Sequence, residues 1–315
     1  MDIFDNISPF DYRYYTRNKS LAGNIQKYLS ENALIQHMLE VELSLVKVLS
    51  ANGICNQAVV DDVAQAIKKV SAEDVYVEED RIKHNVRALV NMIRNHVSDD
   101  SKPHIHFSAT SHDIICTAEA SRYKKFTNEA LLPKLKELAN VLIELALREK
   151  DTLQIGRTHG QHAEPITFGF TIAENVSRFC KSIEAIEKSG NNLRGKLAGA
   201  VGAYNAQTLM VKDPLKFEKD VMKEMGIEPS DHATQIVEPE YMLDYVYNVV
   251  KSFGVLANLS DDLRNLQRSE IHEVGEVFGK DQVGSSTMPQ KRNPINFENV
   301  KSMWKAIMPR INTLF

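Results

Sequence analysis

The sequence predicts an all-α protein, a bundle of long helices preceded by a smaller helical domain. Three observations carry that prediction. Apolar residues recur at spacings of three and four over long stretches, the resulting seams are longer than one small core needs, and no segment shows the alternation of a half-buried strand. Seams of that length also predict that apolar stripes meet other copies of the chain. At 315 residues the chain has room for one large domain or two modest ones. We read residues 1–109 as the N-terminal helical domain and 110–315 as the bundle, divided by the polar, proline-containing SDDSKPHIHF at 98–107.

Taken in order, Leu34, Met38, Val41, Leu45 and Val48 are spaced four, three, four, three, and Gly53 supplies a C-terminal stop. Shorter helical patterns run from about Gln57 to Ser71 and from Asp80 to Val97. A long pattern covers Asp113 to Lys150, with Leu135, Leu138, Leu142 and Leu145 in its seam and Pro133 as an expected kink or break. Ile172, Val176, Phe179, Ile183 and Ile186 repeat the rhythm. The last long pattern runs from about Glu240 to Arg268 through Val249, Phe253, Leu256, Leu259, Leu263 and Leu266. The closing VKSMWKAIMPRINTLF is still helical where the sequence stops, so the expectation is a bundle incomplete at its C-terminal side.

Composition narrows the class of function. With 43% hydrophobic and 25% charged residues the chain has an ordinary globular balance, and a net charge of −4 gives no bulk attraction to nucleic acid or to a membrane surface. Cys55, Cys116 and Cys180 are odd in number, far apart and set in apolar stretches, which predicts buried free thiols in a reducing compartment. The opening MDIFDNISPFDYRYYTRNKS has acids at Asp2 and Asp5 and no long apolar run, so it reads as neither a secretory signal nor an anchor. The expected location is the cytosol.

Four polar segments interrupt the helices: RIKHNVRAL, HIHFSATSHD, GRTHGQHAEPITFG and GSSTMPQKRNP. TSHD at 110–113 fits a helix N-cap, and also a carboxylate site, because free amides at a helix start bind anions. His159 and His162, or His104 and His106, could suggest a metal, but no cysteine accompanies them and neither pair has the spacing of a helical zinc site. No metal is expected, and His104, His106 and His162 read as capping or hydrogen-bonded residues in turns. RGKLAGAVGAYNA matches neither nucleotide-loop spacing, and its glycines read as points of close backbone approach. The loop at 284–294 is the most specific. Gly284 permits unusual backbone angles, its amides can form a nest for an anion, and Lys291 adds a point charge. A serine hydroxyl becomes a base only where such a positive, water-excluded setting stabilises its alkoxide. The same loop also reads as a solvated surface turn.

GSSTMPQKRNP, ATSHD and GRTHGQHAEPITFG together resemble the fumarase and aspartase superfamily, whose members break a C–N or C–O bond and release fumarate. Within it the chain looks most similar to the adenylosuccinate lyase family, through SPFDYRYY, KHNVRAL, ATQI and LQRSEIHEVGE. That resemblance implies β-elimination of fumarate from adenylosuccinate, giving AMP, and from the succinyl-aminoimidazole carboxamide ribotide of purine biosynthesis. It implies Ser285 as general base, His159 as general acid and Glu298 as the carboxylate orienting it. Thr110, Ser111, Lys291 and Asn293 would bind the succinyl carboxylates, Thr158 and Gln235 would contact substrate, and Arg13 and Tyr14 would hold the phosphate. His84 and Asn85 would serve the phosphate or purine side, although Asn85 stands where the family carries Asp, which leaves the tuning of His84 open. No organic cofactor is implied, and a homotetramer with shared active sites is. The family continues past this chain's end, so a C-terminal domain is expected to be missing. The alternatives are an argininosuccinate lyase or another fumarate-releasing member, or a non-catalytic structural homologue.

Overall fold

The structure, a computed structural model, describes residues 12–314; the opening segment read as neither signal nor anchor lies, up to residue 11, outside the described residues. The first helices are α1 (Lys19–Leu29), α2 (Glu31–Ala51), α3 (Gln57–Ala66), α4 (Ala72–Ile82) and α5 (Asn85–Arg94). Each of the first four starts where a side-chain oxygen accepts a free amide: Asn18 from Leu21, Ser30 from Ala33, Asn56 from Val59 and Ser71 from Asp74. The helix predicted from Leu34 to Val48 is α2, and Gly53 follows it with φ +72°. The single helix expected over 80–97 is instead two. Lys83 takes the left-handed conformation and His84 caps α5 by accepting the Arg87 N–H at 3.2 Å. A polar cap outweighed the continuous apolar pattern there.

The remaining elements are α6 (Ser111–Phe126), α7 (Leu132–Arg148), β1 (Leu153–Thr158), β2 (Gln161–Thr167), α8 (Phe168–Asn191), β3 (Arg194–Gly195), α9 (Gln207–Met210), α10 (Pro214–Glu224), β4 (Glu228–Pro229), α11 (Glu240–Leu266) and α12 (Ile295–Ile307). The long pattern from Asp113 is broken by a π turn at Thr127–Leu131. Pro133 then occupies the first turn of α7, where its missing N–H costs nothing. The strands were not foreseen. β1 and β2 pair antiparallel, but β1 is mostly half-buried and β2 largely exposed, so neither carries an inside-outside alternation to read.

The chain forms two compact units, one of residues up to Leu131 with Ser189–Met242, the other of Leu132–Lys188 with the chain from Leu243 onward. In the first, α2 packs against α1, α3, α4, α6 and α10, and Leu39, Val41, Leu45, Val46 and Leu49 are wholly buried. Each such leucine contributes roughly 1.5–3 kcal/mol. β3 and β4 pair in parallel beside α6, and the glycines between 195 and 202 behave as close-approach points. A Cβ on Gly195 would stand 2.6 Å from Met222 Sδ, and one on Gly202 2.0 Å from the Ala233 carbonyl oxygen.

In the second unit, α7 touches the start of α8 backbone to backbone, since a Cβ on Gly169 would lie 2.4 Å from the Ala146 carbonyl oxygen. Arg178 joins α8 to Asn258 of α11 at 3.1 Å. Trp304 of α12 meets Phe253 edge-on, with centroids 5.8 Å apart, and lies against Gly254. Ile172, Phe179 and Ile186 are buried as their spacing predicts, whereas Leu138, Val141 and Leu147 on α7 remain exposed. No helix is long and apolar enough to cross a membrane among the described residues. The three cysteines are free and half-buried, and burial pushes the Cys55 and Cys116 thiols up.

Candidate active site

The loop at 284–294 joins the chain after α11 to the start of α12. Its ends are stitched together by backbone contact. A Cβ on Gly284 would stand 2.2 Å from the Lys291 carbonyl oxygen and 2.9 Å from the Phe278 ring, and Asn293 Nδ2 donates to the Gly284 carbonyl at 2.9 Å. Ser285 Oγ accepts the Met288 N–H at 3.2 Å and the Thr287 N–H at 3.4 Å. Those amides occupy the hydroxyl's lone-pair side and would stabilise negative charge on Oγ, which is the condition a serine base requires.

Lys291, Asn293 and Glu298 line one cleft of about 980 Å³ with Arg264, Arg268 and His272. Of the ionic side chains that line it, Arg264, Arg268, Lys291 and Arg292 outnumber Glu276 and Glu298, so the cleft favours an anion. The segment from Gln267 to Glu276 frames it. Gln267 donates to the Arg292 carbonyl at 3.2 Å and accepts the Glu276 N–H at 3.0 Å. Glu276 caps α12, taking the N–H groups of Asn296 and Phe297 at 2.9 Å each and Asn296 Nδ2 at 2.7 Å. Glu298, in the first turn of α12, is thereby held at a defined helix start and remains exposed.

His159 stands at the tip of the β1–β2 hairpin. With φ +54° at His159 and +75° at Gly160, the two-residue turn is of the primed type whose twist matches paired strands. Thr158 pairs with Gln161 across the turn, and Arg157 pairs with His162 below it. Gly156 sits at a bulge, where a Cβ would be 2.7 Å from the Glu164 carbonyl oxygen. Among the described residues no hydrogen bond or ion pair joins His159 to Ser285 or to Glu298.

The first unit carries the other predicted residues. Thr110 and Ser111 open α6, where the Asp113 carboxylate accepts the Thr110 N–H at 2.8 Å, so TSHD is a helix cap. Asp113 is wholly buried and also accepts the N–H groups of Ala198 at 3.1 Å and Gly199 at 3.2 Å and the ammonium of buried Lys196. These contacts hold the 196–199 turn against the start of α6. His84 and Asn85 begin α5, and the charge of Arg87 one turn later reaches His106. His106 is hydrogen-bonded to buried Glu42 through Nδ1 at 2.7 Å and its own N–H at 2.9 Å, as its reading in a turn predicts. Gln235 is exposed in the loop before α11, and Arg13 and Tyr14 are exposed in a π turn at Tyr12–Thr16.

The sequence reading missed the supporting residues: Lys196 beneath the cap, and Glu273, Glu276 and Arg157 around the loop and hairpin. Lys196 lay within a segment already singled out for its glycines, but nothing local marks an ion pair whose members are 83 residues apart.

The chain matches the lyase family over residues 1–308. It is similar to the adenylosuccinate lyase of Archaeoglobus fulgidus, at 33% identity over 96% of this chain and 65% of that protein. To the adenylosuccinate lyase of Pyrococcus abyssi it is 34% identical, over 97% of this chain and 66% of the relative. The chain therefore spans just under two thirds of the length of these relatives. Among solved structures it resembles a 3-carboxy-cis,cis-muconate lactonizing enzyme from Pseudomonas putida, with a TM-score of 0.81 at 21% identity, covering 93% of this chain and 65% of the other. A fumarate lyase from Mesorhizobium sp. BNC1 gives 0.78 at 20% identity, over 92% and 64%. At these identities the structures speak for the fold alone, and that fold is the long-helix bundle the sequence predicts.

Proposed function

We propose a function from one premise: the chain belongs to the lyase family, which matches residues 1–308. The protein eliminates fumarate from adenylosuccinate, leaving AMP, and from the succinyl-aminoimidazole carboxamide ribotide of purine biosynthesis. The observation that carries this reading is Ser285 Oγ, cradled by the Met288 and Thr287 amides on the loop that also presents Lys291 and Asn293.

In this mechanism Ser285, as its alkoxide, removes the Cβ proton of the succinyl group. The electron pair moves into the adjacent carboxylate, whose developing charge is met by Lys291, Asn293 and the α6 start with Thr110 and Ser111. The C–N bond then breaks, fumarate forms, and His159, oriented by Glu298, protonates the leaving nitrogen. Thr158 and Gln235 contact the substrate, Arg13 and Tyr14 hold its phosphate, and His84 and Asn85 serve the phosphate or purine side. No step calls for a metal or cofactor.

On α7 Leu138, Val141 and Leu147 are exposed. This supports a homo-oligomer, read as a tetramer with sites completed by neighbouring copies. The reading also includes a cytosolic location and a domain division at 109/110, which limited proteolysis of the folded protein tests. The test of activity is spectrophotometric, on adenylosuccinate and, for comparison, argininosuccinate, with the complete protein. Fumarate released from the first alone supports the reading; release from the second alone, or from neither, overturns it.

A further inference from the structure

A two-stranded hairpin is at best marginally stable in water, and β2 is exposed from Gln161 to Pro165. At its base the hairpin is tied by Phe168 N–H to the Thr152 carbonyl at 2.9 Å and Gly169 N–H to the Glu149 carbonyl at 2.9 Å. His159 stands at the far end, in the turn closed by the Thr158–Gln161 pair. Between base and tip the hairpin is held by the carboxylate of Glu273, 116 residues further along the chain than Arg157. That carboxylate accepts from the Arg157 guanidinium on one oxygen and from Gln154 Nε2 on the other at 3.0 Å. Gln154 is itself gripped by Thr171 Oγ1 of α8 at 2.7 Å. The side chains of the pair keep exposures of 20% and 23%, although Glu273 as a whole residue is exposed. Arg157 holds the Glu273 carboxyl below the usual range, and the nearby charge of His162 adds to this.

Glu273 belongs to the segment that frames the anion-favouring cleft. Its N–H returns to the Leu266 carbonyl at the end of α11 at 3.0 Å, and three residues later Glu276 caps the helix that carries Glu298. The same residue thus grips the hairpin at Arg157, two residues before His159, through its carboxylate, and joins the frame of the 284–294 loop through its backbone.

We propose that Glu273 is a positioning residue that holds the His159 hairpin in register with the segment leading to Ser285, and so sets the aim of the general acid. The role in turnover rests on the function proposed above; the mechanical coupling does not. Misplacing a reacting group by about 1 Å costs on the order of a hundredfold in rate, so the pair is placed where a small slackening has a large effect.

The test compares the complete wild-type protein with Glu273→Gln and, from the other side of the pair, Arg157→Gln. Hydrogen exchange is expected to be at least about tenfold faster at the amides of 154–164 in either variant, with α8 beyond its first turns unchanged. On adenylosuccinate kcat is expected to fall about tenfold to a hundredfold while KM stays within about twofold. The charge-swapped pair, Arg157→Glu with Glu273→Arg, should recover to within about threefold of wild-type kcat, a rescue that loss of general stability would not permit. Unchanged hairpin exchange in both single variants overturns the proposal whatever the activity. Faster exchange with unaltered kcat overturns the positioning role. A wild-type protein inert toward adenylosuccinate would instead overturn the function, leaving the exchange measurement to decide the coupling.

Discussion

The ammonium of Lys196 and the carboxylate of Asp113 meet with neither side chain exposed to solvent. Lys196 also donates to the Gly199 carbonyl at 3.0 Å, so the pair locks the 196–199 turn onto the start of α6. Removing one partner leaves a buried charge uncompensated. Lys196→Met is expected to cost about 3–5 kcal/mol of stability, read from urea denaturation midpoints at constant slope. A loss under about 1 kcal/mol would mean that the amides of Thr110, Ala198 and Gly199 satisfy Asp113 by themselves.

A second prediction concerns pH. Burial disfavours the imidazolium of His106, but the hydrogen bond and charge of Glu42, with a further contribution from Asp113, outweigh it and raise its pKa above the ordinary value; the charge of Arg87 opposes them. A raised folded-state pKa contributes stability that is fully present below the unfolded value of about 6.5. That contribution is lost as pH rises through the folded value. Unfolding free energy should therefore decline across that window in wild type, and His106→Asn, which tolerates the left-handed backbone at φ +61°, should remove this share of the slope. An identical pH dependence in the variant would exclude His106 as its source.

The loop makes a third. Gly284→Ala would force a Cβ to within 2.2 Å of the Lys291 carbonyl oxygen, prising the two ends apart. Turnover should fall at least about tenfold while Tm moves by no more than about 2 °C, because the loop is largely exposed. Ser285→Ala should bind adenylosuccinate nearly normally and lose at least about a hundredfold in turnover, whereas Lys291→Ala should lose binding as well. Substantial turnover by a folded Ser285→Ala protein would show that another group removes the proton.

The fourth asks whether Ser285 and His159 act from different copies. His159→Ala by itself should lower turnover on the order of a hundredfold with the fold retained. Mixed with inactive Ser285→Ala protein under conditions of subunit exchange, it should regain measurable activity, since some sites then combine an intact serine with an intact histidine. Mass spectrometry establishes that mixed oligomers formed; no rescue in them would count against shared sites.

The sequence by itself determined the helices whose seams are periodic, because spacing of three and four along α2 and α8 is a local property that any buried stripe must satisfy. It also called for a break near Pro133, which the π turn at Thr127–Leu131 makes just before it, and it marked the special character of GSSTMPQKRNP, where residue types alone restrict backbone and charge. Only the tertiary structure decided the rest. The hairpin under His159 escaped notice because neither of its strands carries an alternation, and the helix over 80–97 split because the His84 cap competed locally with an unbroken apolar pattern. The pairs Lys196 with Asp113, wholly buried, and Arg157 with Glu273 join residues 83 and 116 positions apart. A charge in a sequence does not name its partner; burial does, since a charge removed from water must be matched by whichever opposite charge packing brings within reach.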